Sequence, residues 1–92
     1  MYFEWDNAKN AINIRKHGID FADVKDIFNH PMLILLDNRE DYGEERYIGI
    51  GWIQQLMAVV VYVERHKDSI RIISARKATK NEVRRYEQSI NN

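Results

Sequence analysis

Cysteine is absent from this chain, and proline occurs once, as Pro31. Without cysteine there is no disulfide framework and no thiolate metal site, which fits a reducing compartment. Glycine is scarce, with four residues, and no Gly-Ser-Pro-rich linker divides the sequence. Gly49-x-Gly51 lacks the following glycine and helix that a phosphate-cradling loop requires. Glycine inside a strand relieves crowding under a helix or ligand instead. The three histidines, His17, His30 and His66, are too far apart for a ligand-type repeat, so no metal site and no cofactor is expected. Ser69 and Ser74 sit in no nucleophile-elbow motif, and no catalytic triad is visible. Long apolar runs are missing too: the longest, Leu56 to Val63, is far too short to span a bilayer. Residues 1–20 carry Glu4, Asp6 and Asp20 and lack the basic start and apolar core of a signal peptide. The expectation is a cytoplasmic protein with no membrane association.

What is present points to one globular unit. Ninety-two residues, 45% hydrophobic and 30% charged, suit a single domain over residues 1–92 rather than a disordered chain. The formal net charge is zero, but the charges are segregated. Residues 1–64 hold six Lys/Arg against eleven Asp/Glu, a balance of −5. Residues 65–92 hold eight (Arg65, Lys67, Arg71, Arg76, Lys77, Lys80, Arg84, Arg85) against three, a balance of +5. That asymmetry suits either a phosphate-facing surface on the C-terminal third or a solvated face balanced in space by the acidic half.

Hydrophobic periodicity and end signals give the element order. Tyr2 to Trp5 reads as a short strand. Asp6 caps a helix carrying Ala8, Ala11, Ile12 and Arg15 at helical spacing, with Arg15, Lys16 and His17 in its last turn and Gly18 as its stop. Asp20 opens a second helix with a stripe of Phe21, Val24, Ile27 and Phe28, closed by Pro31. Strands are expected at Met32–Leu36, Arg46–Trp52, Leu56–Val63 and Ile70–Ala75, with turns at Asp37–Gly43, Ile53–Gln55 and His66–Ser69. The third of these is apolar on both faces, as a central strand is. Thr79-Lys80-Asn81-Glu82 forms a capping box for a last helix lined by Val83, Tyr86 and Ile90. The order β-α-α-β-β-β-β-α describes an α+β fold, an antiparallel sheet packed with helices.

Arginine carries the candidate chemistry. Arg76 alternates with Ser74, Ile72 and Ile70 and sits where the last strand meets the capped helix. A guanidinium there suits a phosphate, aided by the helix N-terminus; capping a carbonyl or pairing with an acid such as Glu4 is the competing assignment. Folding the His66–Ser69 hairpin pairs Arg65 with Ile70 and sets Val59 opposite Arg76. The two arginines are then roughly 20 Å apart at ~3.3 Å per residue, too far to hold one phosphate unless a bulge or a long side-chain reach intervenes. Either they hold successive phosphates of one strand, or one of them is structural. Trp5, Tyr47, Tyr62 and Tyr86 are placed as core aromatics. Trp52, near a turn and Arg76, is the candidate base-stacking platform.

Several segments together resemble the BrnT toxin family: Phe3-Glu4-Trp5-Asp6 with Lys9, Arg15 to Phe21, Gly43-Glu44-Glu45-Arg46, Val59 to Arg65, and Arg71 to Ala78. The likeness runs from Phe3 to about Tyr86, and Val63 departs from the threonine often found before the Glu-Arg pair. The resemblance implies a RelE-like bacterial ribonuclease that inhibits translation. It also implies neutralisation by a BrnA-type antitoxin, in a heterotetramer that reaches operator DNA only through the antitoxin. The family's basic residues correspond to Arg65 and Arg76, with Glu44 and Arg46 as helpers, and Lys16, His17, Lys77 and Trp52 are candidates for RNA contact. Metal-independent cleavage would use the ribose 2′-hydroxyl, with Glu44 or Glu64 taking its proton and His17 or Lys16 donating one. A non-catalytic nucleic-acid-binding or partner-binding module is the alternative.

Overall fold

In the computed structural model, which describes residues 1–66 and 68–91, the elements are β1 (Tyr2–Glu4), α1 (Asn7–His17), α2 (Phe21–Val24), a 3-10 turn (Lys25–Asn29), β2 (Leu33–Leu36), β3 (Tyr47–Ile53), β4 (Leu56–His66), β5 (Ser69–Lys77) and α3 (Lys80–Ile90). Lys67, part of the basic C-terminal third and of the expected His66–Ser69 turn, lies outside the described residues. Local chemistry sets the helix ends. The Asp6 carboxylate accepts from the Ala8 and Lys9 amides at 2.8 and 3.1 Å, and Gly18, at φ 70°, turns the chain out of α1. Asp20 caps α2 through the Ala22 amide. The expected second helix is thus split, α2 giving way after Val24 to the tighter 3-10 turn.

The five strands form one sheet in the order β1-β5-β4-β3-β2. Strands β2 to β5 are a meander of antiparallel neighbours. The expected antiparallel sheet is there, with one parallel addition: β1 lies at the edge and pairs parallel to β5, Phe3 against Ile70. Parallel neighbours need a long connection rather than a turn, and three residues at the chain start carry no pattern that reveals their direction.

Both faces of the sheet are covered, unequally. One face packs Ala58, Val60, Tyr62, Ile70, Ile72 and Ala75 against Phe21, Val24 and Ile27 of α2 and the 3-10 turn. Phe28 and Tyr47 flank Tyr62 there, with ring centroids 5.1 and 5.7 Å away. Burial pushes the Tyr62 phenol up to about 12. Gly49 and Gly51 open onto this face, where a Cβ on Gly51 would lie 3.1 Å from Met32 Cγ and 3.2 Å from Ile27 Cγ1. The crowding expected at these glycines comes from the 3-10 turn and the segment after it. On the other face α3 covers only part of the sheet, packing Tyr86 and Val83 on Ile50, Met57 and Val59. The Tyr86 hydroxyl donates to the Pro31 carbonyl at 3.0 Å. The rest of that face is where a concavity forms.

α1 does not bury the residues that set its spacing. Ala8, Ala11, Ile12 and Arg15 are exposed, and Asn13 is the buried side chain. β1 ends at Glu4, opposite Arg71, so farther along β5 the outer edge has no strand partner. There the Asn13 side chain stands in for one: its carbonyl oxygen accepts from the Ala75 amide at 3.1 Å, and its NH2 donates to the Ile19 carbonyl at 2.9 Å. Asn10 ties the same helix to Asp20 and to the Phe21 amide. α1 thus seals an exposed sheet edge.

Candidate active site

The open part of the α3 face holds a cavity of about 270 Å³. Ile48 and Ile50 of β3 with Val59 and Val61 of β4 line it, along with Ser74 and Arg76 of β5, and Arg39, Glu82, Arg85 and His17 stand around it. A β-bulge brings Ser74 and Arg76 onto this face. Val59 pairs with Arg76 and Val61 with Ser74, but Tyr62 then pairs with Ile72, leaving Ile73 as the extra residue. Simple alternation put Ile70 and Ile72 beside Arg76; the bulge moves both to the opposite face, into the other core cluster.

Arg76 is held by the first turn of α3. Its Nη1 and Nη2 donate to the two Glu82 oxygens at 2.8 and 2.7 Å, and Nη1 also reaches the Lys77 carbonyl at 3.3 Å. Glu82 meanwhile accepts from the Thr79 amide at 2.8 Å, completing the capping box. The expected capping box is therefore also the clamp on the expected arginine. The Arg76 guanidinium holds the Glu82 carboxyl down to about 2, and Glu82 in turn raises the arginine's own value. A guanidinium has five N–H donors. Among the described residues three of those on Arg76 are engaged, which leaves Nε and the outer Nη2 hydrogen, the side-on fork that matches two oxygens of a phosphate. The partner of Arg76 is Glu82, not Glu4.

Arg39 and Arg85 join Arg76 in the cavity and went unrecognised in the sequence. Arg39 leaves β2 through a tight local contact in which Nε and Nη2 donate to the buried Asp37 carboxylate, both at 2.8 Å. The Arg39 fork pulls the Asp37 carboxyl down to about 2. Arg85 makes no ion pair among the described residues, which leaves its guanidinium without a neutralising carboxylate. Three guanidiniums against Glu82 and Asp37 make this corner a net cationic site. An i, i+3 pair of Glu82 and Arg85 on the capped helix, and Asp37-x-Arg39 at a strand end, were the available signals.

The other candidates fall into separate places. His17, at the end of α1, reaches the cavity wall. Lys16 lines an adjoining groove. Arg65 lies beyond the cavity in a second cluster, where its Nε and Nη2 are 3.8 and 3.7 Å from Glu4 and Glu44. Arg71 stands 3.9 Å from the same Glu4. Arg46 belongs to that cluster, 3.8 Å from Glu44 and stacked 4.0 Å over the Tyr42 ring, with its buried Nε left without a hydrogen-bond partner. Arg65, Glu44 and Arg46 are thus together, but not with Arg76. Glu64 lines a third, remote depression. Lys77 pairs with Ala58, whose side chain belongs to the opposite face. Trp52 is not beside Arg76: it lines an apolar groove with Met57, Val83 and Tyr86 on the far side of α3. Among the described residues no group of three His, Cys, Asp or Glu side chains is arranged to hold a metal ion. No helix there is long and apolar enough to cross a membrane.

Fold and site together define a class: a small α+β protein with an anion-receptive cavity of guanidiniums and one imidazole, cut into a single sheet face. Residues 5–82 match the family model of the ribonuclease toxin BrnT of type II toxin–antitoxin systems, and the chain belongs to that family. Its fold is similar to the crystal structure of the Brucella abortus ribonuclease toxin BrnT, with a TM-score of 0.72 and 27% identity over 87% of this chain and 99% of that one. No curated protein matches the chain by sequence.

Proposed function

We propose that this chain is a single-domain, metal-independent endoribonuclease toxin whose reaction centre is the Arg76 cavity. Its action would inhibit translation in the cytoplasm, and a BrnA-type antitoxin would neutralise it in a heterotetramer that meets operator DNA only through the antitoxin. The observation that carries this reading is the open side-on fork of Arg76, beside Arg39, Arg85 and His17 in one concavity.

Cleavage without a metal needs a group to accept the 2′-hydroxyl proton, cations to stabilise the dianionic phosphorane, and a donor for the leaving 5′-oxygen. The arginines stay protonated and therefore serve as electrostatic stabilisers, with Arg76 clamped in place by Glu82 before substrate arrives. Of the proton-transfer candidates considered from sequence, His17 is the one in this cavity; Glu44 and Glu64 lie outside it. Glu82 is a carboxylate held near 2 by its arginine, which makes it a weak base suited to positioning. Arg65 and Arg46, positioned by Glu44, would then hold the RNA farther along its backbone, together with Lys16.

The test is cleavage of RNA by the purified protein in chelator. Activity should persist, and Arg76→Ala should lower it by about 100-fold or more, the usual loss when one transition-state donor is removed. Salt-dependent RNA binding with no products would favour the binding-module alternative and overturn this reading.

A further inference from the structure

A second groove of about 190 Å³ adjoins the first cavity and shares His17 and Ser74 with it. Its walls are Lys9, Ile12, Lys16 and His17 from α1 and Ile73 and Ser74 from β5, and no carboxylate lines it. Neither Lys9 nor Lys16 has an ion-pair partner among the described residues. Lys9, Ile12, Asn13 and Lys16 follow i, i+3, i+4, i+7, so they share one face of α1. Lys9 and Lys16 are rooted about 10 Å apart along the helix axis, a span suited to a chain of phosphates rather than a lone anion. Between them Ile12 is half exposed, and Ile73 is the bulged residue of β5. This gives the groove an aliphatic floor between two cationic posts.

We infer that this groove is a substrate subsite that holds the nucleotides of the RNA strand next to the scissile phosphate. Lys9 and Lys16 contact the backbone, and a ribose or base lies on Ile12 and Ile73. The bulge that aims Ser74 and Arg76 into the reaction cavity also sets Ile73 into this groove, so one irregularity of β5 builds both. The inference rests on the ribonuclease reading for its substrate, but its binding arm can be measured without turnover.

The experiment compares wild type, Lys9→Ala/Lys16→Ala and the charge-matched control Lys25→Ala/Arg84→Ala. Binding of an uncleavable 2′-O-methyl octanucleotide is followed by fluorescence anisotropy from 50 to 200 mM salt. Loss of two phosphate contacts should flatten the slope of log K against log salt by about 1.4, so that wild type loses about 7-fold more affinity than the double variant over that range. The control should keep the wild-type slope. A double variant with the control's slope overturns the subsite. In a parallel cleavage arm the double variant should lose kcat/KM on an unmodified octanucleotide and keep it on a dinucleotide. Equal losses on both substrates would also overturn the subsite. A wild-type protein that cleaves neither substrate would refute the nuclease reading, while the salt slopes still decide whether the groove binds RNA.

Discussion

Asn13→Ala should damage this protein more than any surface change on α1, and the structure sets the scale. Asn13 is 5% exposed, and its amide satisfies two backbone groups at once, the Ala75 N–H and the Ile19 carbonyl. Alanine strands both, and a buried polar group without a partner costs about 1–3 kcal/mol. Asn13 also borders the α1–β5 groove, so water entering from that side recovers part of the loss. The expected destabilisation is about 2–3 kcal/mol, equivalent to roughly 10–20 °C in Tm for a domain of this size. Urea unfolding followed by Trp5 and Trp52 fluorescence should show a lower midpoint at unchanged slope. A loss below about 0.5 kcal/mol would refute the idea that this one side chain fastens α1 to the free edge of β5. With it would go the explanation of how His17 is held beside Arg76.

Three further outcomes follow from the packing and the charges. Glu82 has its carboxyl lowered from 4.5 to about 2, so the stability it contributes is present above pH 4.5 and is lost as pH falls toward 2. After allowance for solvent around the half-exposed Arg76, Glu82→Gln should remove about 1 kcal/mol of acid dependence across that window, measured by urea melts at successive pH values; an unchanged pH profile would contradict the clamp. Tyr86→Phe removes the hydroxyl that donates to Pro31 and should cost about 1 kcal/mol in thermal or urea melts, with no effect if that bond is idle. Gly51→Val places methyl groups against Ile27 and Met32 and should destabilise by about 1–3 kcal/mol, whereas a neutral result would mean the 3-10 turn moves freely away.

Much of the fold was legible because its signals are local. Asp6, Gly18, Asp20 and the Thr79–Glu82 box act within one helical turn, and each helix starts or stops where those residues indicate. The uniformly apolar Leu56–Val63 run did mark the central strand, and Val59 does stand opposite Arg76, but the bulge sets Glu64, not Arg65, against Ile70. What sequence spacing could not carry was long-range or irregular. The bulge at Ile73 changes which β5 residues share a face with Arg76, and nothing in the alternation of Ile70 to Ala75 announces it. The direction of β1 depends on a strand far along the chain, and α1 turns a polar asparagine, not its alanines, toward the sheet. In the site, Arg76 was visible as a strand-end guanidinium. Its cavity partners Arg39 and Arg85 come from a loop and a helix that only the tertiary fold brings to it.

Product chemistry tests the central claim most directly. RNA cut by the purified protein in chelator should carry 2′,3′-cyclic phosphate or 3′-phosphate and 5′-hydroxyl ends, and a single 2′-O-methyl group at the scissile nucleotide should block the cut. Ends with 5′-phosphate, or undiminished cleavage of the methylated substrate, would show that the attacking group is not the ribose hydroxyl and that the Arg76 cavity does not work as described.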